Sequence, residues 1–292
     1  MPDLEHTTAA EGQSGAAEQS GSKERFYMRF TAEQRYLHFT LFSTFLGLAA
    51  TGLPMRFSES IWARHFAAAV GGFGSILFFH KLCAIVLSLA FLIHLKDLFT
   101  RAFIRHEKGI FWGNTSMVAN WKDAKDLFGH LRWFVGLGPK PQFERYAYWE
   151  KFDYWAVFWG MIVIGFSGYA MWFAPFFARF LPGWALNAAL VIHSEEGLLA
   201  ILFIFSIHFV NTHLRPDSFP MDMVVFTGVE SEEEFKHKRS LEYARLAKTG
   251  KLEAKLAAAP QTWQVHISKI VGFTAIFIGL LLLVLTLSAY FI

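Results

Sequence analysis

Five long apolar runs dominate the 292-residue sequence. They cover about residues 36–55, 75–95, 154–177, 186–210 and 270–292. Each is close to the roughly 20 residues a helix needs to cross hydrocarbon. A soluble fold of this size does not need five such runs, so the pattern predicts an all-α integral membrane protein. Composition agrees: 54% of residues are hydrophobic and only 17% charged, against roughly 25% charged in soluble chains. That balance argues against a disordered chain, a collagen-like repeat or a nucleic-acid-binding protein. The single cysteine, Cys83, removes a disulfide framework, a cysteine zinc site, a cysteine-held iron–sulfur cluster and a CxxCH haem attachment. Any redox centre must use other ligands, and 12 histidines are available.

Residues 1–25 are polar and have no apolar run to bury, so a disordered tail is expected there. No apolar h-region follows a basic start, so they do not read as a signal peptide, and the mature protein is expected to begin near Met1. Basic residues set the orientation. With the N-terminus inside, residues 1–37, 96–152 and 213–269 face the cytoplasm with 4, 10 and 9 Lys/Arg, 23 of the 27 in the chain. The positive-inside rule then predicts a multi-pass inner-membrane protein with a cytoplasmic N-terminus and a periplasmic C-terminus. Within 96–152, the aromatic and basic stretches 121–125 and 131–134 suggest an interfacial helix with snorkelling cations. Residues 231–258 read as a cytoplasmic helix that starts at a capping box, Ser231 with Glu234. The expected organisation is a tail over 1–25, a membrane core over 26–215, a cytoplasmic segment over 216–267 and a final span over 268–292.

Ionisable residues inside spans are costly and usually functional. The second run holds His80 and His94, 14 residues apart, and the fourth holds His193 and His208, 15 apart. In an α-helix these separations are about 21 and 22 Å, and the members of each pair fall within about 40° and 60° of one face. Both runs cross in the same direction, so His80 shares an outer level with His193, and His94 shares an inner level with His208. Two imidazoles facing at one depth are what a six-coordinate b haem needs, and two levels imply two haems. The small residues Ala84, Ala90 and Gly197, each one turn from a histidine, leave room for a flat macrocycle. His38, at the inner end of the first run, also sits at the inner level. Three histidines therefore compete there for two axial positions, and spacing does not choose among them.

At these residues the chain resembles the di-haem cytochrome b membrane subunits of formate dehydrogenases (the gamma subunit) and nickel–iron hydrogenases. The matching pieces are Arg35-x-x-His38-Phe39, Thr51-Gly52-Leu53, Phe79-His80-Lys81 and the His193/His208 pair, over about residues 30–215. The resemblance implies a four-helix di-haem bundle, here with a fifth C-terminal transmembrane helix. It implies His80 with His193 as outer ligands and His38 with His208 as inner ligands. His94 departs from that pattern. It gives the second and fourth runs the His-x13-His and His-x14-His spacing of the cytochrome b of quinol–cytochrome c complexes, which would pair His94 with His208 instead. The segment after residue 213 and the fifth span are also additions, and such additions often serve partner docking.

The expected function is electron relay across the bilayer between the quinone pool (menaquinone or ubiquinone) and a partner redox subunit. That partner would be an iron–sulfur, molybdenum or hydrogenase subunit, or a multihaem cytochrome c. The resemblance implies a quinone site beside the inner haem, with the unliganded one of His38 and His94, and Asn211, His213 and Asp97, as candidates. Lys81 and Arg179 are candidate partners of haem propionates. Glu195 and Glu196 are candidates to carry protons or to pair with Lys81. Competing functions are a haem-free anchor or proton-conducting transporter, or a stand-alone transmembrane ferric reductase. Residues 81–93 are nearly all apolar, which favours electrons over protons across the midplane.

Overall fold

The computed structural model describes residues 24–291. It is mostly helical, 72% helix against 3% strand. Among the described residues, five helical stretches are long and apolar enough to cross a membrane. The tail expected over 1–25 falls largely on residues 1–23, outside the described residues, but Arg25 already belongs to folded structure and donates to Glu253 at 2.5 Å.

The chain enters through a short strand, β1 (Phe26–Met28). Thr31 and Gln34 then form a capping box that starts α1 (Ala32–Arg56), the first span, which ends just past Pro54. After α2 (Ile61–Ala69), the chain reverses at Gly71 and Gly72, whose φ values of 93° and 92° suit glycine because it has no Cβ to clash. The second span is α3 (Phe73–Phe99), extended by a π turn over Thr100–Ile104. A further helix follows, α4 (Trp121–Phe134), capped by Asn120 and Asp123. It fuses the two aromatic and basic stretches and exposes Trp121, Phe128 and Phe134. The third span joins α5 (Tyr148–Gly160), a π turn over Met161–Gly165 and α6 (Phe166–Trp172). After α7 (Ala174–Phe177), the fourth span is α8 (Gly183–Phe203) with π turns over Ile204–His208 and Val210–Leu214. The second and fourth spans each reach 32 residues, roughly 48 Å. Their ends therefore project well past a hydrocarbon core of about 30 Å.

Beyond residue 214 come α9 (Val224–Thr227), β2 (Val229–Ser231), α10 (Glu232–Lys238), α11 (Ser240–Lys248) and β3 (Leu256–Ala257). The single helix expected over 231–258 is thus broken. The Ser231–Glu234 capping box does form, but Arg239 leaves helical geometry (φ −138°, ψ 55°) and the segment ends in a strand. The sheet has the order β2-β1-β3 and is antiparallel throughout, with Tyr27 opposite both Glu230 and Leu256. Residues just before the first span and residues between the fourth and fifth therefore build one small module. Tyr27, Phe235, Leu246 and Leu252 form its apolar core.

The fifth span is α12 (Thr262–Phe291). Gly272 and Gly279, seven residues apart, lie on one face, where Met221 and Phe226 press on the first and Phe205 and Phe209 on the second. Small residues allow this close approach between membrane helices. The added helix thus closes the bundle core with Ala49, Leu53, Leu198 and Phe205. On its other side Ile270, Phe277 and Val284 are exposed, as a lipid-facing stripe would be.

Buried charges join the module to the membrane helices. Glu242 accepts from Arg145 at 3.4 Å and from Lys255 at 3.1 Å, Arg239 pairs with Glu230, and Arg29 donates to Glu150 of α5 at 3.1 Å. Burial pushes the Glu242 carboxyl up, but Lys255, Arg29, Arg145 and Arg239 outweigh it and hold its pKa below the ordinary 4.5. A carboxylate with a depressed folded pKa contributes stability above its unfolded pKa and loses it as pH falls through the folded value. The module is therefore expected to loosen as pH falls below the ordinary carboxylate range, seen as faster hydrogen exchange of the β1 amides. Glu242→Gln strands its cationic partners and is expected to destabilise the module by roughly 3–5 kcal/mol at neutral pH. Unchanged β1 exchange in that variant would contradict this account.

Candidate functional site: paired histidines along one cavity

His38, His80, His94, His193, His208 and His213 all line one cavity of about 2850 Å³ between the spans. Most ligand pockets measure roughly 300–1,000 Å³, so this one has room for more than one large group. The ends of the cavity differ. At the distal end, away from the β-sheet module, are His80 and His193. At the proximal end are His38, His94, His208 and His213.

The distal pair is closely matched. The rings of His80 (α3) and His193 (α8) have centroids 6.1 Å apart, with planes at 73°. Two imidazoles on opposite sides of one metal, each with a bond of about 2 Å, put their centroids about 6 Å apart. Hydrogen bonds set the tautomers. The Thr51 hydroxyl donates to the Gly47 carbonyl at 2.6 Å, so its oxygen is free to accept from Nδ1–H of His80 at 2.9 Å. Nδ1–H of His193 donates to the Ile164 carbonyl at 2.9 Å, inside the π turn of the third span, where the regular ladder is interrupted. With Nδ1 protonated on both rings, each Nε2 keeps its lone pair for a ligand bond. Glycine makes space for the rings. A Cβ on Gly168 would lie 2.8 Å from Cε1 of His193, and one on Gly52 would lie 3.3 Å from Cε1 of His80.

At the proximal end, Nδ1–H of His208 donates to Asp153 at 2.9 Å, a carboxylate–imidazole arrangement that fixes the orientation of the ring. The extra residue between His193 and His208 has a structural answer. The π turn over Ile204–His208 absorbs one residue, so the 15-residue spacing places its members as a 14-residue spacing would in a regular helix. His38 has His208 and His213 as its electrostatic neighbours. The His213 ring centroid is 6.4 Å from that of His208, and its buried Nδ1 has no protein partner. His94 is turned elsewhere: its Nε2 shares a hydrogen bond of 3.0 Å with the Tyr154 hydroxyl, and its ring packs against Tyr154 and Phe158.

The other candidates separate clearly. Asn211 and Asp97 line the cavity, and Asp97 lies 3.7 Å from Arg101. Lys81 lines it too, but sits 4.9 Å over the Trp172 ring and does not pair with Glu195 or Glu196. Glu195 is held by Arg56 at 2.9 Å, and Glu196 accepts from Trp159 at 3.3 Å. Arg179 is exposed and lies outside the cavity lining. Asp153, Tyr154 and Gly168 join the site only in three dimensions, and Thr51, already part of the Thr51-Gly52-Leu53 motif, gains its role beside His80 there. Of the first three, Asp153 carries a sequence signal, as an acidic residue at the mouth of an apolar run. Among the described residues no group of three or more His, Cys, Asp or Glu side chains converges as a metal-ion site.

Together the fold and the site define a multi-pass helical membrane protein with imidazoles aligned along an internal cavity. No family model and no curated protein matches the chain.

The two glycines make the ring placement testable. Gly168→Ala overpacks His193 and is expected to cost roughly 1–3 kcal/mol. Gly52→Ala, with its wider clearance, is expected to cost less. Thermal unfolding in detergent compares them, and a reversed order would mean the ring of His193 lies elsewhere.

Proposed function

We propose that the chain is a di-haem b-type cytochrome subunit, akin to the cytochrome b subunits of formate dehydrogenases and nickel–iron hydrogenases. It would relay electrons across the cytoplasmic membrane between the quinone pool and a partner redox subunit. The observation that carries this reading is the His80–His193 pair, with its 6.1 Å spacing and both Nδ1 atoms committed to protein acceptors. When bound, two b haems supply one-electron carriers at the two membrane levels.

The chain's own residues do the rest. Thr51 and the Ile164 carbonyl fix the tautomers of the distal ligands, and Asp153 fixes the orientation of His208. His38 is the favoured second ligand at the proximal level, because it lines the cavity with His208 while the Tyr154 hydroxyl shares a hydrogen bond with Nε2 of His94. Between the levels, the α3 residues on the cavity wall are apolar apart from Ser88, which accepts from the Tyr169 hydroxyl of the third span at 2.8 Å. His94 and Tyr154, with Asp97, then form a proton-handling group on the cavity wall where quinol would bind. Asn211 and His213 line the same end. The orientation proposed is the one set by the basic loops: module and N-terminus in the cytoplasm, C-terminus in the periplasm. The redox partner is an iron–sulfur, molybdenum, hydrogenase or multihaem cytochrome c subunit.

Counting haem by pyridine haemochrome after single substitutions tests the ligand set. His80→Ala and His193→Ala are expected to lose one haem, and His38→Ala and His208→Ala the other. His94→Ala is expected to keep both while slowing reduction by a quinol analogue about 100-fold. A wild-type protein with no Soret band after haem-replete expression would refute the reading.

A further inference from the structure

The proximal end of the cavity has cationic donors that the protein leaves unanswered. Arg29, Arg35, Arg215, Lys238 and Arg239 all line it. Four of these guanidiniums keep a buried N–H with no hydrogen-bond acceptor: Nη1 of Arg29, Nε of Arg35, Nε of Arg215, and Nε and Nη2 of Arg239, the last of which is ion-paired with Glu230 and Glu242. Arg29 is only 2% exposed. Its Nη2 is used on Glu150 at 3.1 Å, and Nη1 of Arg35 is used on the Phe226 carbonyl at 3.0 Å. Arg29 and Arg35 are thus each anchored through one nitrogen and keep another without an acceptor. The Gly228 turn touches both segments: its carbonyl accepts from the Arg29 backbone amide at 2.8 Å, and a Cβ on Gly228 would lie 2.9 Å from Nε of the Arg35 side chain. Arg215 stacks on Trp149, next in sequence to Glu150. Nδ1 of His213 adds a further buried polar atom without a partner. The nearby carboxylates are already engaged, Glu150 by Arg29 and Asp222 by Lys238 at 3.1 Å.

Buried donors without acceptors are costly in the empty protein and well placed for an anion. Guanidinium forks fit planar carboxylates. We infer that Arg29, Arg35 and Arg215 form a carboxylate clamp for the acidic side groups of the tetrapyrrole at the proximal level. This rests on the cofactor reading above and extends it. The clamp spans two parts of the fold: Arg35 and Arg215 sit at the ends of membrane spans, whereas Arg29 directly follows β1. The extramembrane module is then a cofactor-retaining lid, and proximal haem and module stabilise each other.

The test uses the full chain purified in detergent, with redox titration of the b-haem bands and haem counts. The variants are Arg29→Gln, Arg35→Gln and Arg215→Gln, with Arg64→Gln on the exposed face of α2 as the control. Removing a cation beside a carboxylate favours the oxidised iron. Each clamp variant should therefore shift one haem to a more negative midpoint potential, or lose it, while the other haem stays put. Arg64→Gln should match wild type. In parallel, haem dimethyl ester should load the proximal level of the haem-depleted chain at least ten-fold more weakly than haem, and that preference should shrink in Arg35→Gln and Arg215→Gln. Arg35 and Arg215 lie outside the sheet and decide the matter if Arg29→Gln prevents the module from folding. Unchanged potentials and haem content in Arg35→Gln and Arg215→Gln, with equal loading of ester and acid, would overturn the clamp and leave the two-haem reading standing. A wild-type chain that binds no haem would overturn both.

Discussion

An imidazole inside hydrocarbon must satisfy at least one ring nitrogen, and the way it does so decides what the other can do. In this chain the Nδ1 atoms of His80, His193 and His208 are each matched to an oxygen on another helix: the Thr51 hydroxyl, the Ile164 carbonyl and the Asp153 carboxylate. That one constraint orders the bundle. It requires α1 to present Thr51 beside α3, and the third span to open its ladder at Ile164 beside α8. The three histidines it orients line a common cavity. The glycines at 52 and 168 belong to the same constraint, because any side chain there would displace a ring that is already hydrogen-bonded.

The π turns are part of this design. A histidine spacing of 15 residues does not return to the same helix face as a spacing of 14, yet His208 must project into the cavity that His193 enters. The wider turn over Ile204–His208 removes the mismatch. The π turn over Met161–Gly165 lies where Ile164 accepts from His193. Such turns weaken local hydrogen bonding, and they persist where function repays that cost.

Much of this was legible in the sequence because it depends on composition and period. The five long apolar helices and the capping box at Ser231 follow from residue type and spacing. The rest depends on contacts between distant segments. Nothing in the short stretch 26–28 announces that it will pair with residues 229–231 and 256–257. Nothing local marks Thr51 as the partner of His80, because the two are joined only once α1 and α3 pack. The competition between His38 and His94 was open for the same reason: spacing gives height and face, but Tyr154 comes from another helix. Lys81 and Glu195 looked like partners by proximity in depth, yet each found a nearer one, Trp172 for the lysine and Arg56 for the carboxylate.

The strand order has a temporal corollary. β1 is the middle strand of the sheet, yet it is the first element of the described chain to leave the ribosome. Both of its neighbours lie more than 200 residues downstream, after four spans. The sheet can close only when those helices have been synthesised and the intervening loops delivered back to the same side. Until then Tyr27 has no apolar core to enter and Arg29 has no counterion at Glu150. Completion of the module is thus coupled to correct threading of the first four helices, so a chain with one span misplaced would be left with an unpaired strand at its beginning.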